Sequence, residues 1–192
     1  MSAANPKRKA RIVIGLVTLL CVAPVVASYL VYYYWRPFGE MNYGQLLKPT
    51  LVPDGPLTLA NGKPFRISEL RGKWIFIMAD SGKCDEACFR KLYIMRQVRL
   101  TQGKDQDRIE RVWLIADDAA PAPKAVAAYH GTWMVRAAGS RLLAAFPAAD
   151  SARNHIYIID PQGNLMMRYP LHADPSKIKR DIARLLKVSQ VG

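Results

Sequence analysis

The chain has 192 residues, half of them hydrophobic, and carries a formal net charge of +13. That length accommodates one domain of ordinary size plus an appendage. The cations are scattered rather than blocked, which argues against a nucleic-acid arm and reads as a basic surface facing anionic lipid or an acidic partner.

From Ile12 to Val31 no charged residue occurs. About 20 apolar residues cross a bilayer core of roughly 30 Å. Pro24 is tolerated in such a helix, and Tyr32, Tyr33, Tyr34 and Trp35 form an interfacial belt. A cleaved signal peptide has a shorter apolar run and a small-residue cleavage site, so the pattern favours an uncleaved anchor. Lys7, Arg8, Lys9 and Arg11 precede the run, and only Arg36 follows it closely. The positive-inside rule then keeps the N-terminus cytoplasmic and exports the rest, into the periplasm in a bacterium. The expected organisation is a basic cytoplasmic tail over 1–11, a transmembrane helix over 12–35, a linker over 36–50 and an exported domain over 51–192.

Within that domain, "LTLANGKPFRI" places Asn61-Gly62 between two alternating runs and predicts a hairpin. "SELRGK" predicts a helical turn, and "WIFIMAD" a central strand buried on both faces. "EACFRKLYIMRQVRL" carries Phe89, Leu92, Tyr93, Met95 and Val98 at helical spacing. A second buried strand is expected over Val112 to Ala116, and a helix in "APKAVAAYHGTW". Strand, turn and strand follow in "HIYIIDPQGNLMMRYP". A last helix is capped by Asp174 with Pro175 at its first position. The order predicts an α/β fold, a mixed sheet covered by helices.

Cys84 and Cys88 sit where the central strand ends and the helix begins, the usual place of chemistry in open α/β sheets. With the helix starting near Lys83–Asp85, both lie on one face of its first turns, where amide dipoles favour thiolate. In an oxidising compartment such a pair is a disulfide, a redox couple or a metal site. Two thiolates suit Cu(I), whereas zinc asks for four ligands. Thiol–disulfide exchange and an inert structural disulfide stay open beside copper. Cys21 falls mid-membrane and is given no chemistry.

The stretch "LTLANGKPFRISELRGKWIFIMADSGKCDEAC", with "IYIIDPQGNLMMRYP" further on, resembles the Sco/SenC family of thioredoxin-like cytochrome c oxidase assembly proteins. The likeness covers roughly residues 50 to 190. It implies a thioredoxin-like mixed sheet on a single N-terminal transmembrane helix. It also implies Cu(I) as cargo and a cytochrome c oxidase subunit or another assembly factor as partner, with no nucleic acid. Cys84 and Cys88 carry over as copper ligands or redox cysteines. The chain departs from the family where Phe89 replaces the proline that follows the second cysteine. It departs again where the third ligand, a histidine, would fall near Ala152. The nearest histidine is His155, the candidate third ligand. His130 and His172 are expected to be structural or solvated, Met166 and Met167 to be core, and Asp117 and Asp118 to end a strand.

Overall fold

The computed structural model describes residues 6–34, 42–147 and 152–189. The chain divides into two compact units, Met1–Met41 and Asn42–Gly192. The first unit is helix α1 (Pro6–Tyr34), with Pro24 inside it. Its span Ala10–Tyr34 has a mean hydropathy of 2.4 and is long and apolar enough to cross a membrane. Apolar side chains from Ile12 to Tyr34 are exposed along it. Trp35 and Arg36, read above as membrane flanks, lie outside the described residues.

The second unit is built on an eight-stranded sheet in the order β1-β8-β7-β4-β5-β6-β2-β3. Its strands are β1 (Gln45–Leu51), β2 (Leu57–Leu59), β3 (Pro64–Phe65), β4 (Trp74–Asp80), β5 (Ile109–Ile115), β6 (Thr132–Arg136), β7 (His155–Ile159) and β8 (Asn164–Pro170). The remaining helices are α2 (Glu86–Leu100), α3 (Pro123–Ala128), α4 (Arg141–Ala144) and α5 (Pro175–Val188). β4, β5 and β6 run parallel, whereas β7 is antiparallel to β4 and β8 to β7, which makes the mixed sheet that the element order predicts.

Every residue of β4 is buried, because apolar layers cover both faces of the sheet. Phe76 and Met78 face the layer of α2 and α5. Ile75, Ile77 and Ala79 face the layer that holds Phe65, Leu142 and Tyr157. The hairpin forms as expected, with Gly62 at φ +84°, a value that glycine adopts without penalty.

The segment read as a linker over 36–50 needs correction at its C-terminal half. Gln45–Leu51 is an edge strand paired with β8. Pro49 is tolerated there because its register shifts between Leu46 and Thr50. The strand is mostly exposed and has no apolar period, so its placement comes from tertiary contacts. The Gly44 amide donates to Asp181 Oδ2 at 2.9 Å, Tyr43 stacks on Tyr169, and Lys177 Nζ lies 5.0 Å from the Tyr43 ring centroid. A Cβ on Gly44 would come within 2.5 Å of Met167 Sδ, so only glycine fits this approach. Residues 36–41 lie outside the described residues.

Two further elements depart from expectation. β6 was not anticipated between α3 and the later strands, and β5 begins at Ile109, three residues before the expected strand. On α2, Tyr93 is exposed, whereas Lys91 and Ile94 are buried beside Leu92 and Met95.

Candidate functional site

β4 delivers the chain to Ser81 at the carboxyl end of the central strand, and the turn Ser81–Cys84 redirects it into α2. The expectation that Cys84 lies in the first helical turn is corrected. Asp85 is the N-cap, its carboxylate accepts from the Cys88 amide at 2.9 Å, and the helix begins at Glu86. The short polar side chain of Asp85 satisfies an orphan amide at this end better than a continued helix would. Cys84 therefore precedes the helix, with φ 49°. That left-handed conformation is uncommon for a residue with a Cβ and holds it at a cost the surrounding loop must offset.

Cys84 and Cys88 are joined by a disulfide, with Cα atoms 5.1 Å apart. Both are buried: Cys84 keeps 4% of its surface and Cys88 none. Cys84 lies in the turn before α2, and Cys88 sits in the first helical turn, where the dipole favours a thiolate.

The loop is held on its outer side by a second loop, residues 116–122, which follows β5. The Gly82 amide donates to Asp117 Oδ1 at 2.9 Å, and the Gly82 carbonyl accepts from the Ala122 amide at 2.9 Å. A Cβ on Gly82 would lie 2.2 Å from the Ala119 carbonyl oxygen, so the two backbones approach as only glycine allows. Asp117 does more than end a strand. The amide of Gly82, the Ser81 hydroxyl and the Ala119 amide hold its pKa below the ordinary carboxylate value.

One helical turn beyond Cys88, Lys91 Nζ meets Asp80 Oδ2 at 2.7 Å. The ammonium also donates to the carbonyls of Ala79 and Arg153. It thereby ties the end of β4, the second turn of α2 and the segment entering β7. Burial pushes the Lys91 pKa down, and Asp80 opposes that shift. No signal short of the fold marked this pair, because a lysine in an amphipathic helix reads as solvent-facing.

His155 is not brought to the cysteines. Side chains alternate along β7. Ile156 and Ile158 pack in the layer that contains Cys84 and Cys88, and Tyr157 and Ile159 pack in the opposite layer. His155 shares the Tyr157 side: its ring lies 5.7 Å from that ring, and its Nδ1 is 3.2 Å from the Tyr169 carbonyl oxygen. The expectation of a third ligand at His155 is corrected on this ground. Among the described residues, no group of three or more His, Cys, Asp or Glu side chains is placed to hold a metal ion. After reduction the site offers two thiolates, a donor set that fits a soft ion such as Cu(I) and no hard one. Met167 is core, and Cys21 is a free, exposed thiol on α1.

The fold and the site define a class: a thioredoxin-like domain carrying a CxxxC disulfide at the end of its central strand. The chain belongs to the family described as transmembrane-like, thioredoxin-like, C-terminal domain, whose model matches residues 74–189. No curated protein matches the sequence.

Solved structures share the fold, which matches that of the Sco family. Yeast Sco1 with copper bound has a TM-score of 0.60 at 17% identity, over 74% of this chain and 96% of that one. Bradyrhizobium japonicum ScoI with copper bound has a TM-score of 0.54 at 20% identity, over 72% of this chain and 98% of that one. BsSco, described as having a disulfide switch and as a member of the Sco family of cytochrome c oxidase assembly proteins, has a TM-score of 0.56 at 12% identity. That match covers 76% of this chain and 99% of BsSco.

Proposed function

We propose that this chain is a membrane-anchored thiol–disulfide exchange protein whose working pair is Cys84 and Cys88. The observation that carries the reading is the disulfide itself, at the carboxyl end of β4, with Cys84 in the turn outside α2 and Cys88 fully buried within the helix. A client thiolate attacks Cys84 Sγ, the Cys84–Cys88 bond breaks, and Cys88 leaves as a thiolate. A second client thiolate then attacks the mixed disulfide and releases Cys84. The client ends as a disulfide, this domain as a dithiol, and the two thiol protons lost by the client are matched by two taken up here. The reverse sequence reduces a client. The relative potentials of the two pairs decide which runs.

The basic tail over 1–11 and the apolar helix support a single-pass protein of the cell membrane, with its N-terminus cytoplasmic and its thioredoxin-like domain in the periplasm.

A second reading is favoured by one observation: the fold is shared with Sco1 and ScoI structures that hold copper. In that reading the reduced pair carries Cu(I) as cargo through two sulfurs, for a cytochrome c oxidase subunit or another assembly factor. His155 has no part in it.

One titration separates the two. Full-length protein in nonionic detergent is equilibrated across glutathione ratios, and its thiols are counted by alkylation mass. Exchange predicts a single reversible transition in which Cys84 and Cys88 titrate together. The same preparation, reduced, is then titrated with Cu(I) against a competing chelator. Failure to interconvert with glutathione, together with stoichiometric Cu(I) binding, moves the assignment to copper carriage.

A further inference from the structure

We infer that the outward face of α5 is a docking surface for a bilayer that bears anionic phospholipid. The inference rests on the reading of α1 as a membrane anchor and does not involve the cysteine pair. α5 is amphipathic: Ile178, Asp181, Ile182 and Leu186 are buried, the three apolar ones in the layer shared with α2. Lys177, Lys179, Arg180, Arg184 and Lys187 are exposed on the other side. At about 100° per residue, these five cations spread over about 160° of the helix circumference.

A solvated helix face ordinarily mixes charges of both signs, and this one carries a single sign. Asp181, the acid within the helix, is buried, where it accepts from the Gly44 amide at 2.9 Å and from the Tyr169 hydroxyl. The carboxylates at the two ends of α5 are engaged elsewhere. Asp174 accepts from the Ser176 amide, and Asp105 pairs with Arg108, which holds the Leu186 and Ser189 carbonyls. α2, which packs beside α5, exposes Arg90 and Arg96, with Glu86 in its first turn. Among the described residues no carboxylate forms an ion pair with Lys177, Lys179, Arg180 or Lys187. Lys177 and Arg180, Arg180 and Arg184, and Arg184 and Lys187 stand three or four residues apart, where like charges repel. An anionic surface relieves that repulsion.

The chain itself keeps such a surface close. Seven residues, 35–41, separate α1 from Asn42, and seven residues span at most about 25 Å. The segment that follows is fastened to α5. The Asp174 amide donates to the Tyr43 hydroxyl at 3.1 Å, Lys177 Nζ lies 5.0 Å from the Tyr43 ring centroid, and the Gly44 amide holds Asp181. A bilayer that holds α1 is therefore within reach of α5. Each lysine or arginine near an anionic headgroup layer strengthens attachment about fivefold. The apolar side of α5 is used by the domain core, so attachment is electrostatic rather than by insertion. An acidic protein offers the same charge, but the chain tethers none beside the helix.

The test places the full chain in nanodiscs of phosphatidylcholine, with or without phosphatidylglycerol in both leaflets. Co-elution with the phosphatidylcholine discs tests the anchor by itself. Lysines are then acetylated briefly and read by peptide mass. Docking predicts that Lys179 and Lys187 react at least about fivefold more slowly where phosphatidylglycerol is present, while exposed Lys63 in the β2–β3 hairpin keeps its rate. About 1 M NaCl, where the Debye length is about 3 Å, restores both rates. Lys179→Glu with Arg180→Glu, both at exposed positions, restores the Lys187 rate. A chain that co-elutes but shows equal lysine rates in the two discs overturns the surface and leaves the face to solvent or an acidic protein. Slowing shared equally by Lys63, protection that survives salt, or protection kept by the double variant also overturns it. A chain that co-elutes with neither disc overturns the anchor and the surface together.

Discussion

Lys91 and Asp80 form an ion pair at 2.7 Å in the interior, joining α2 one helical turn beyond Cys88 to the last residue of the strand that delivers the cysteine loop. Lys91 has no solvent exposure, and its ammonium is satisfied by one carboxylate and two carbonyls. A pair so placed is expensive to break from one side, because the remaining charge stays buried. Lys91→Met is expected to destabilise the domain by about 3–5 kcal/mol. Lys91→Met with Asp80→Leu is expected to recover much of that loss. Denaturant midpoints of the three proteins check this.

Asp117 gives the cysteine loop an acid-sensitive fastening. Its folded pKa lies below its ordinary value of 3.8, chiefly because the Gly82 amide bonds the carboxylate. A depressed carboxylate pKa contributes stability that is present above the unfolded value and lost as pH falls through the folded one. Thermal melts between neutral pH and the range below 3.8 should therefore show a loss of stability that Asp117→Asn reduces. The variant should also reduce faster with dithiothreitol at neutral pH, since its loop is less firmly held.

Gly82→Ala tests the same loop without changing a charge. Its new Cβ would fall 2.2 Å from the Ala119 carbonyl oxygen. The backbone cannot yield there without losing the Ala122–Gly82 bond. A cost of about 1–3 kcal/mol is expected, as for other overpacked sites. The stability of Gly62→Ala separates this clash from backbone effects, because a Cβ at Gly62 meets nothing within 4 Å and only its φ of +84° is unfavourable.

Much of this was readable from residue order. "WIFIMAD" has the length and apolarity of a strand covered on both faces, and β4 is one. Asn61-Gly62 marks the hairpin, and Asp174-Pro175 opens α5. β1 was hidden because its stability is nonlocal: buried Asp181, more than a hundred residues away, holds the Gly44 amide. β5 looked shorter than it is because Glu110 and Arg111 are charged, yet both lie within the strand. The cysteines were found by type and spacing. The break before Glu86 was signalled by Asp85, whose capping role fixes Cys84 outside the helix.

Asp181 offers a direct check on the corrected boundary of the domain. Asp181→Ala removes the acceptor for Gly44 and for the Tyr169 hydroxyl, and is expected to cost about 1–3 kcal/mol. Hydrogen exchange should rise at Gly44 and along Gln45–Leu51 first. Uniform exchange across the domain would show that the arm is not held by this carboxylate.

His155 has a simple fate in either functional reading. Its side chain lies on the Tyr157 face of β7, away from the disulfide. His155→Ala is expected to leave both the glutathione midpoint and any Cu(I) affinity unchanged, while lowering stability modestly through the lost contact with the Tyr169 carbonyl. A tenfold fall in Cu(I) affinity would return the ring to the site.

The most direct measurement compares Cys88→Ser and Cys84→Ser, each carrying Cys21→Ser to remove the free thiol of α1, as full chains in detergent mixed with oxidised glutathione and followed by intact mass. Cys88→Ser should form a mixed disulfide at Cys84 at least about tenfold faster than Cys84→Ser forms one at Cys88, because Cys84 lies in the turn outside α2 whereas Cys88 is fully buried within the helix. Equal rates, or no adduct on either variant, would contradict exchange through Cys84.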